Sequence, residues 1–228
     1  GGYVYEMAES PRDDSLVPVL TVTGNGLTFS GQSNEVYIKI AETVNTVTFH
    51  NLRLSGSYDK WDAALCVTQG DNPLTIYIEG DCVFRNTADD VNILTMRIDE
   101  RSVQFVGIDE DSSLEVDITG ASSGNAIFVY NCDIIFDSLN LNVNVDVNGI
   151  DEEIPVSAIN VSYDGEVFRT CSFVNSNIAI NSEDAGFIGT GFAITIKDST
   201  FVMNCAGSAG GGTGIYDAYI LEFTVDSS

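Results

Sequence analysis

The word Ala64-Leu65-Cys66-Val67 comes back as Ala126-Ile127-Phe128-Val129, Ala158-Ile159-Asn160-Val161 and Ala193-Ile194-Thr195-Ile196. A fifth copy, Ile93-Leu94-Thr95-Met96, has isoleucine in the alanine place. The copies start at 64, 93, 126, 158 and 193, in steps of 29, 33, 32 and 35 residues. A period between 20 and 50 residues marks a solenoid, propeller or array. One such unit cannot bury its own apolar face, so it stacks on its copies.

Each period is written in strands. Apolar residues alternate in "TVTF" (46–49), "LTIYI" (74–78), "SVQFV" (102–106), "SLEVDI" (113–118) and "LNLNVNV" (139–145). Period two is the signature of a half-buried strand, and no window shows a helical period. Each period holds three short strands, A, B and C, with A the recurring word. The pairs "NTVTFHNLRLSG" (45–56) and "CDIIFDSLNLNV" (132–143) align Phe49 with Phe136, Leu52 with Leu139 and Leu54 with Leu141. Earlier and later turns are expected at "VYIKI" (36–40) and "DAYILEFTV" (217–225).

Three parallel strands per coil make a parallel β-helix rising ~4.8 Å per coil. Equivalent residues then form columns. Leu65, Leu94, Ile127, Ile159 and Ile194 are expected in one inward ladder, and Val67, Met96, Val129, Val161 and Ile196 in the next. The variable place (Cys66, Thr95, Phe128, Asn160, Thr195) faces outward. The alanines sit where space is short. The A-to-B corners are rich in residues that tolerate a left-handed backbone: Asp71-Asn72, Asn131, Asp164-Gly165 and Asp198.

Composition narrows the function. The 228 residues are 44% hydrophobic and fit one domain. Residues 1–20 read as an N-terminal lead-in, 21–213 as coils and 214–228 as a C-terminal cap strand that returns across the last coil and buries Ile220, Leu221 and Phe223. Thirty-four acidic against nine basic residues give a charge of −25, which repels nucleic acid and anionic membranes. No apolar run approaches the ~20 residues of a membrane span. Cys66, Cys82, Cys132, Cys171 and Cys205 lack metal or disulfide spacing and read as free thiols. The Gly1-Gly2 start reads as a processed or engineered end from which a leader has been removed.

The coil grammar and corner residues over about 20–225 resemble the right-handed parallel β-helix superfamily, the pectate-lyase-like architecture of secreted bacterial and phage proteins. The resemblance implies an all-β, single-stranded right-handed β-helix of about six coils with three short strands each. It also implies an extracellular or cell-surface place. The superfamily holds polysaccharide lyases, glycoside hydrolases and adhesins. Of the polygalacturonase-like motifs only an Asp-Asp is present, Asp89-Asp90, and the one histidine is His50. Lyase-like members set an Asp cluster for calcium beside a basic residue. Arg97 and Arg101, flanking Asp99-Glu100, have that form.

The C-to-A connections read as the long ones: 55–63, 85–92, 119–125, 146–157 and 181–191. Insertions of this kind line one face of a repeat protein, and loops carry function. Tyr58 and Trp61 on that edge are the candidates for stacking on sugar. Asp151, Glu152, Glu153, Glu183 and Asp184 fall on adjacent coils and are the candidates for Ca²⁺, which takes hard oxygen ligands. No other cofactor is required. Asp89, Asp90, Arg97 and Arg101 are the catalytic candidates. The leading expectation is a monomeric, secreted or surface-attached protein that binds a polysaccharide or other glycan without cleaving it. A polysaccharide lyase or glycoside hydrolase is the alternative, and a structural adhesin or surface spacer the second.

Overall fold

The computed structural model describes residues 2–9, 16–58, 63–90, 92–147, 156–164, 169–189, 192–206, 215–216 and 220–226. All regular structure in them is strand. The chain enters through β1 (Tyr3–Glu9), β2 (Leu16–Val22), β3 (Leu27–Ser33), β4 (Tyr37–Ile40) and β5 (Thr46–Gly56). Five three-strand turns follow. They are β6 (Leu65–Val67), β7 (Leu74–Glu79) and β8 (Asp81–Asn86); β9 (Ile93–Asp99), β10 (Val103–Gly107) and β11 (Ser113–Ala121); β12 (Gly124–Tyr130), β13 (Ile134–Asp137) and β14 (Asn140–Val147); β15 (Val156–Ser162), β16 (Arg169–Val174) and β17 (Asn177–Ser182); and β18 (Ala185–Gly189), β19 (Phe192–Lys197) and β20 (Thr200–Cys205). The last strands are β21 (Ile215–Tyr216) and β22 (Ile220–Asp226).

Each strand from β4 onward pairs in parallel with its counterpart one turn away. The first strands of the turns, β2 to β21, make sheet A. The second strands, β7 to β22, make sheet B, and the third strands, β8 to β20, make sheet C. Strands β3 and β5 pass through B and C without a break, so Thr46–His50 pair with β7 and Arg53–Gly56 with β8. The result is an all-β parallel solenoid, compatible with a parallel β-helix.

Alternation explains the core. In β7, Leu74, Ile76 and Ile78 are fully buried while Thr75, Tyr77 and Glu79 are not. The inner ladder of sheet B stacks Val47, Ile76, Phe105, Phe136, Phe173 and Ile196. Phe136 lies nearly parallel to Phe105 (centroids 5.3 Å apart, 12°) and to Phe173 (5.6 Å, 10°). The B-to-C corners turn on Asn51, Ser138, Asn175 and Asp198, with φ of 47°, 54°, 48° and 49°. Asn131, at φ 59°, turns A into B. Asn and Asp populate this left-handed region most readily among residues with a side chain.

Several expected alignments shift. Leu65 stacks on Met96, not on Leu94, and the ladder runs Ile38, Leu65, Met96, Ile127, Ile159, Phe187. The second ladder is Ile40, Val67, Ile98, Val129, Val161. Phe136 belongs to the column of Val47 rather than Phe49, and Leu54 stacks on Phe84, Val116 and Val143 rather than reaching Leu141. Each error is a slip of two residues. A slip of one would turn every side chain to the other face; a slip of two keeps every face and leaves the alternation intact. The word at 193 is a different kind of error. Ala193-Ile194-Thr195-Ile196 lies in β19 and pairs with Thr170–Phe173 of sheet B. The A strand of that turn is β18, where Phe187 lies on Ile159. Hence Asp198 turns B into C, not A into B.

The outward column of A is therefore Lys39, Cys66, Arg97, Phe128, Asn160 and Ile188. The small column is real. Ala64, Ala126 and Ala158 are fully buried, and Thr95, expected to face outward, shares their position, is fully buried too and donates its hydroxyl to Asp117 O at 2.7 Å.

Two expected long loops are short corners. Only Ser122-Ser123 separate β11 from β12, and only Glu183-Asp184 separate β17 from β18. The glycines that read as loop are strand residues at a tight corner. A Cβ on Gly124 would come within 2.0 Å of Ile93 O, and its φ of 142° suits glycine. At the entrance, β1 pairs antiparallel with β2. At the exit, β21 and β22 add parallel strands to A and B; they continue the solenoid and do not return across it. The side chains of Ile220, Leu221 and Phe223, expected to be buried there, lie outside the described residues.

Candidate functional site

The sequence candidates disperse. Tyr58 is 1% exposed, its ring edge-on to Tyr37 at 4.8 Å. Its backbone N–H donates to Asn86 Oδ1 at 3.0 Å, and Asn86 Nδ2 donates back to Tyr58 O and onward to Leu94 O. Burial, with Tyr37 adding to it, pushes the phenol pKa well above its ordinary value. Tyr58 is thus a core residue with no ring face open to a sugar. Trp61, Asp151, Glu152 and Glu153 lie outside the described residues.

Glu183 and Asp184 hold backbone. Glu183 Oε2 accepts from Val147 N and Asp184 Oδ2 from Val156 N, both at 3.0 Å. The two carboxylates therefore pin both ends of the 148–155 connection. Among the described residues no group of three or more His, Cys, Asp or Glu is placed to hold a metal ion.

Arg101 is 1% exposed and its guanidinium ends on carbonyls. Nε donates to Asn72 O at 2.7 Å, Nη1 to Ala41 O at 3.1 Å and Nη2 to Val44 O. Burial draws its pKa down, yet arginine keeps its charge in proteins. This side chain binds two earlier turns and is not open to a substrate. Asp89 is exposed, and Asp90 O accepts from Ser122 N at 3.1 Å. His50 Nδ1 lies 3.2 Å from a carboxylate oxygen of Glu79.

Arg97 stands beside aromatic groups, on the outer face of sheet A. Register sets Arg97 next to Phe128 and Phe128 next to Asn160; one step along, Asp99 neighbours Tyr130 and Tyr130 neighbours Ser162. Phe128 and Tyr130 are half-buried, their rings 6.5 Å apart and only 7° from parallel. Together they make one aromatic patch, the plate, across two strand positions. Arg97 Nε and Asp99 Oδ2 pair at 2.7 Å on one side. Burial lifts the Asp99 carboxyl above its usual pKa, against the lowering by Arg97. On the other side Ser162 Oγ donates to Asn160 Oδ1 at 2.7 Å, and Tyr130 Oη donates to Asp164 Oδ2 at 3.3 Å. Below, Ser157 Oγ and Asn160 Nδ2 both donate to Asn125 Oδ1. An aromatic pair between polar side chains suits a ligand with an apolar face and a hydroxylated rim.

The outer face of sheet C carries a second polar array. Arg85 Nε and Nη2 donate to Asp117 Oδ2 at 2.8 and 2.6 Å, and Nη2 also reaches Glu115 Oε1 at 2.7 Å. The Glu115 carboxyl is raised in pKa, first by its hydrogen bond with Asp117 and then by burial. Asp117 Oδ1 accepts from Asn144 Nδ2 at 2.8 Å, Asn144 Oδ1 from Asn181 Nδ2 at 3.1 Å, and Asn181 Oδ1 from Asn204 Nδ2 at 3.0 Å. The alternation in "LNLNVNV" revealed the strand, but its outward asparagines went unread. Their signal is the return of Asn140 and Asn144 as Asn177 and Asn181 one turn later.

No protein-family model, curated protein or solved structure matches the chain.

Proposed function

We propose that this is a secreted or cell-surface protein, a right-handed pectate-lyase-like β-helix of about six coils between its end strands, that binds a glycan without cleaving it. The observation that carries the reading is the parallel Phe128–Tyr130 pair between Arg97–Asp99 and Asn160–Ser162. A pyranose ring lays its C–H face on an aromatic plane, and its rim hydroxyls exchange hydrogen bonds with amides, hydroxyls and a charged pair. The binding surface proposed is the face of sheet A, and Tyr58 is too buried to share in it.

Binding without cleavage is favoured by the state of the basic residues. A lyase needs an unengaged base, whereas Arg97 is paired with Asp99 and Arg101, itself buried, is tied to backbone carbonyls. Hydrolysis needs two carboxylates ~5–9 Å apart across the scissile bond, and the aromatic plate occupies the middle of this face. The net charge of −25 favours neutral over acidic glycans.

A glycan array probed with the wild-type protein and with Phe128→Ala/Tyr130→Ala tests the reading, with reducing-end release measured in parallel. Binding by the wild type alone, with no release of ends, is expected. Equal array signals from both proteins would remove the plate from the account, and release of ends would replace binding by catalysis.

A further inference from the structure

The amide ladder on sheet C borders an open groove of about 650 Å³ lined by Asn144, Asn181, Asn204, Asp146, Glu183 and Met203, among others. The ladder is one-directional. Every Nδ2 donates toward the preceding turn, and the chain ends on Asp117, which Arg85 holds in place. Aligned amides polarise one another. An asparagine amide offers two N–H donors and two oxygen lone pairs. The ladder uses one of each on Asn181, leaving one donor and one acceptor. On Asn204 no described ladder donor reaches Oδ1.

We infer that this groove is a second glycan subsite, which takes a neutral, extended oligosaccharide lying along the solenoid axis, one sugar per rung. This rests on the glycan-binding reading for its ligand class but uses no residue of the Phe128–Tyr130 plate. The rungs repeat at the strand spacing of ~4.8 Å, longer than the ~3.4 Å rise of an extended peptide. A peptide therefore falls out of step over three rungs, whereas pyranose units have a longer repeat and present a hydroxyl, donor and acceptor at once, at each. Asp146 and Glu183 disfavour uronates and phosphates. Polarity of the ladder fixes the direction of the chain, with a hydroxyl donor toward Asn204.

The experiment uses Phe128→Ala/Tyr130→Ala as host, so that the plate is silent, and titrates neutral cello-oligosaccharides from disaccharide to hexasaccharide. Side-chain amide signals of Asn181 and Asn204 are followed by ¹⁵N NMR. They are expected to move, with affinity rising with length until the sugar spans three rungs and flat beyond. Asn181→Ala, added to the host, is expected to weaken binding about tenfold, the loss of two hydrogen bonds. Asn181→Asp keeps the shape and removes the donor, and should weaken binding too; Asn142→Ala, outside the ladder, should not. Amide signals that stay still at every length, or an unchanged affinity in both Asn181 variants, overturn the subsite. Failure of the plate shows separately, as equal binding by host and wild type.

Discussion

Two ladders built by one repeat face opposite media. Phe105, Phe136 and Phe173 stack inside sheet B, fully buried. Asn144, Asn181 and Asn204 stack outside sheet C in contact with solvent. The coil spacing is the same, yet the consequences differ. Inside, each aromatic ring removes apolar surface from water and its loss leaves a void. Outside, each amide exchanges water for a neighbour and gains little net energy, because both states are hydrogen-bonded. Stability therefore resides in the inner column. The outer one is free to present a pattern.

The sharpest way to break this contrast is Phe136→Ala. It opens a cavity between two stacked rings and should cost about 4 kcal/mol in denaturant unfolding. A loss as small as that of an outer amide would show the core to be loosely packed. Arg101→Met comes next and tests whether a charged group can belong to the inner side. It removes the guanidinium donors from the buried carbonyl of Val44 and from the less buried ones of Ala41 and Asn72, and about 3 kcal/mol should be lost. A neutral outcome would mean that water replaces the guanidinium. Asn181→Ala should cost at most about 1 kcal/mol of stability, while its effect on sugar binding is the larger one.

The smallest effect is pH-dependent. The Glu115 carboxyl has a raised pKa in the folded state, so its ionised form is disfavoured there. The penalty is full above the folded pKa. It is relieved as pH falls through that value, and the gain is complete below the ordinary carboxylate value of ~4.3. Glu115→Gln removes this dependence. Unfolding free energies of wild type and variant should thus converge or cross toward the wild type as pH drops through that window. Parallel profiles would show that the Glu115 carboxyl is not raised in the folded chain.

Faces were legible in the sequence, and columns only partly. The alternation that buries Leu74, Ile76 and Ile78 fixes which side of a strand faces inward. It is blind to a shift of two, which is why Leu94 stood in for Met96 and Phe49 for Val47. The word at 193 misled because sheets A and B use the same apolar vocabulary. Tyr58 looked like a surface aromatic because burial by Tyr37 and Asn86 comes from other turns. The Phe128–Tyr130 plate was hidden for a related reason. One face of it is built by residues a full turn away, and only register brings Arg97 and Asn160 to Phe128.

Arg101 has a mechanical consequence. In a solenoid each turn contacts its neighbours, so a pull along the axis peels turns from an end, one after another. Arg101, just past β9, holds Asn72 one turn back and Ala41 and Val44 two turns back. It acts as a rivet through three layers. Under force, unravelling from the amino-terminal side should pause when it reaches these turns and then release them as one block. With Arg101→Met the pause should vanish, and the force trace should show a run of smaller steps.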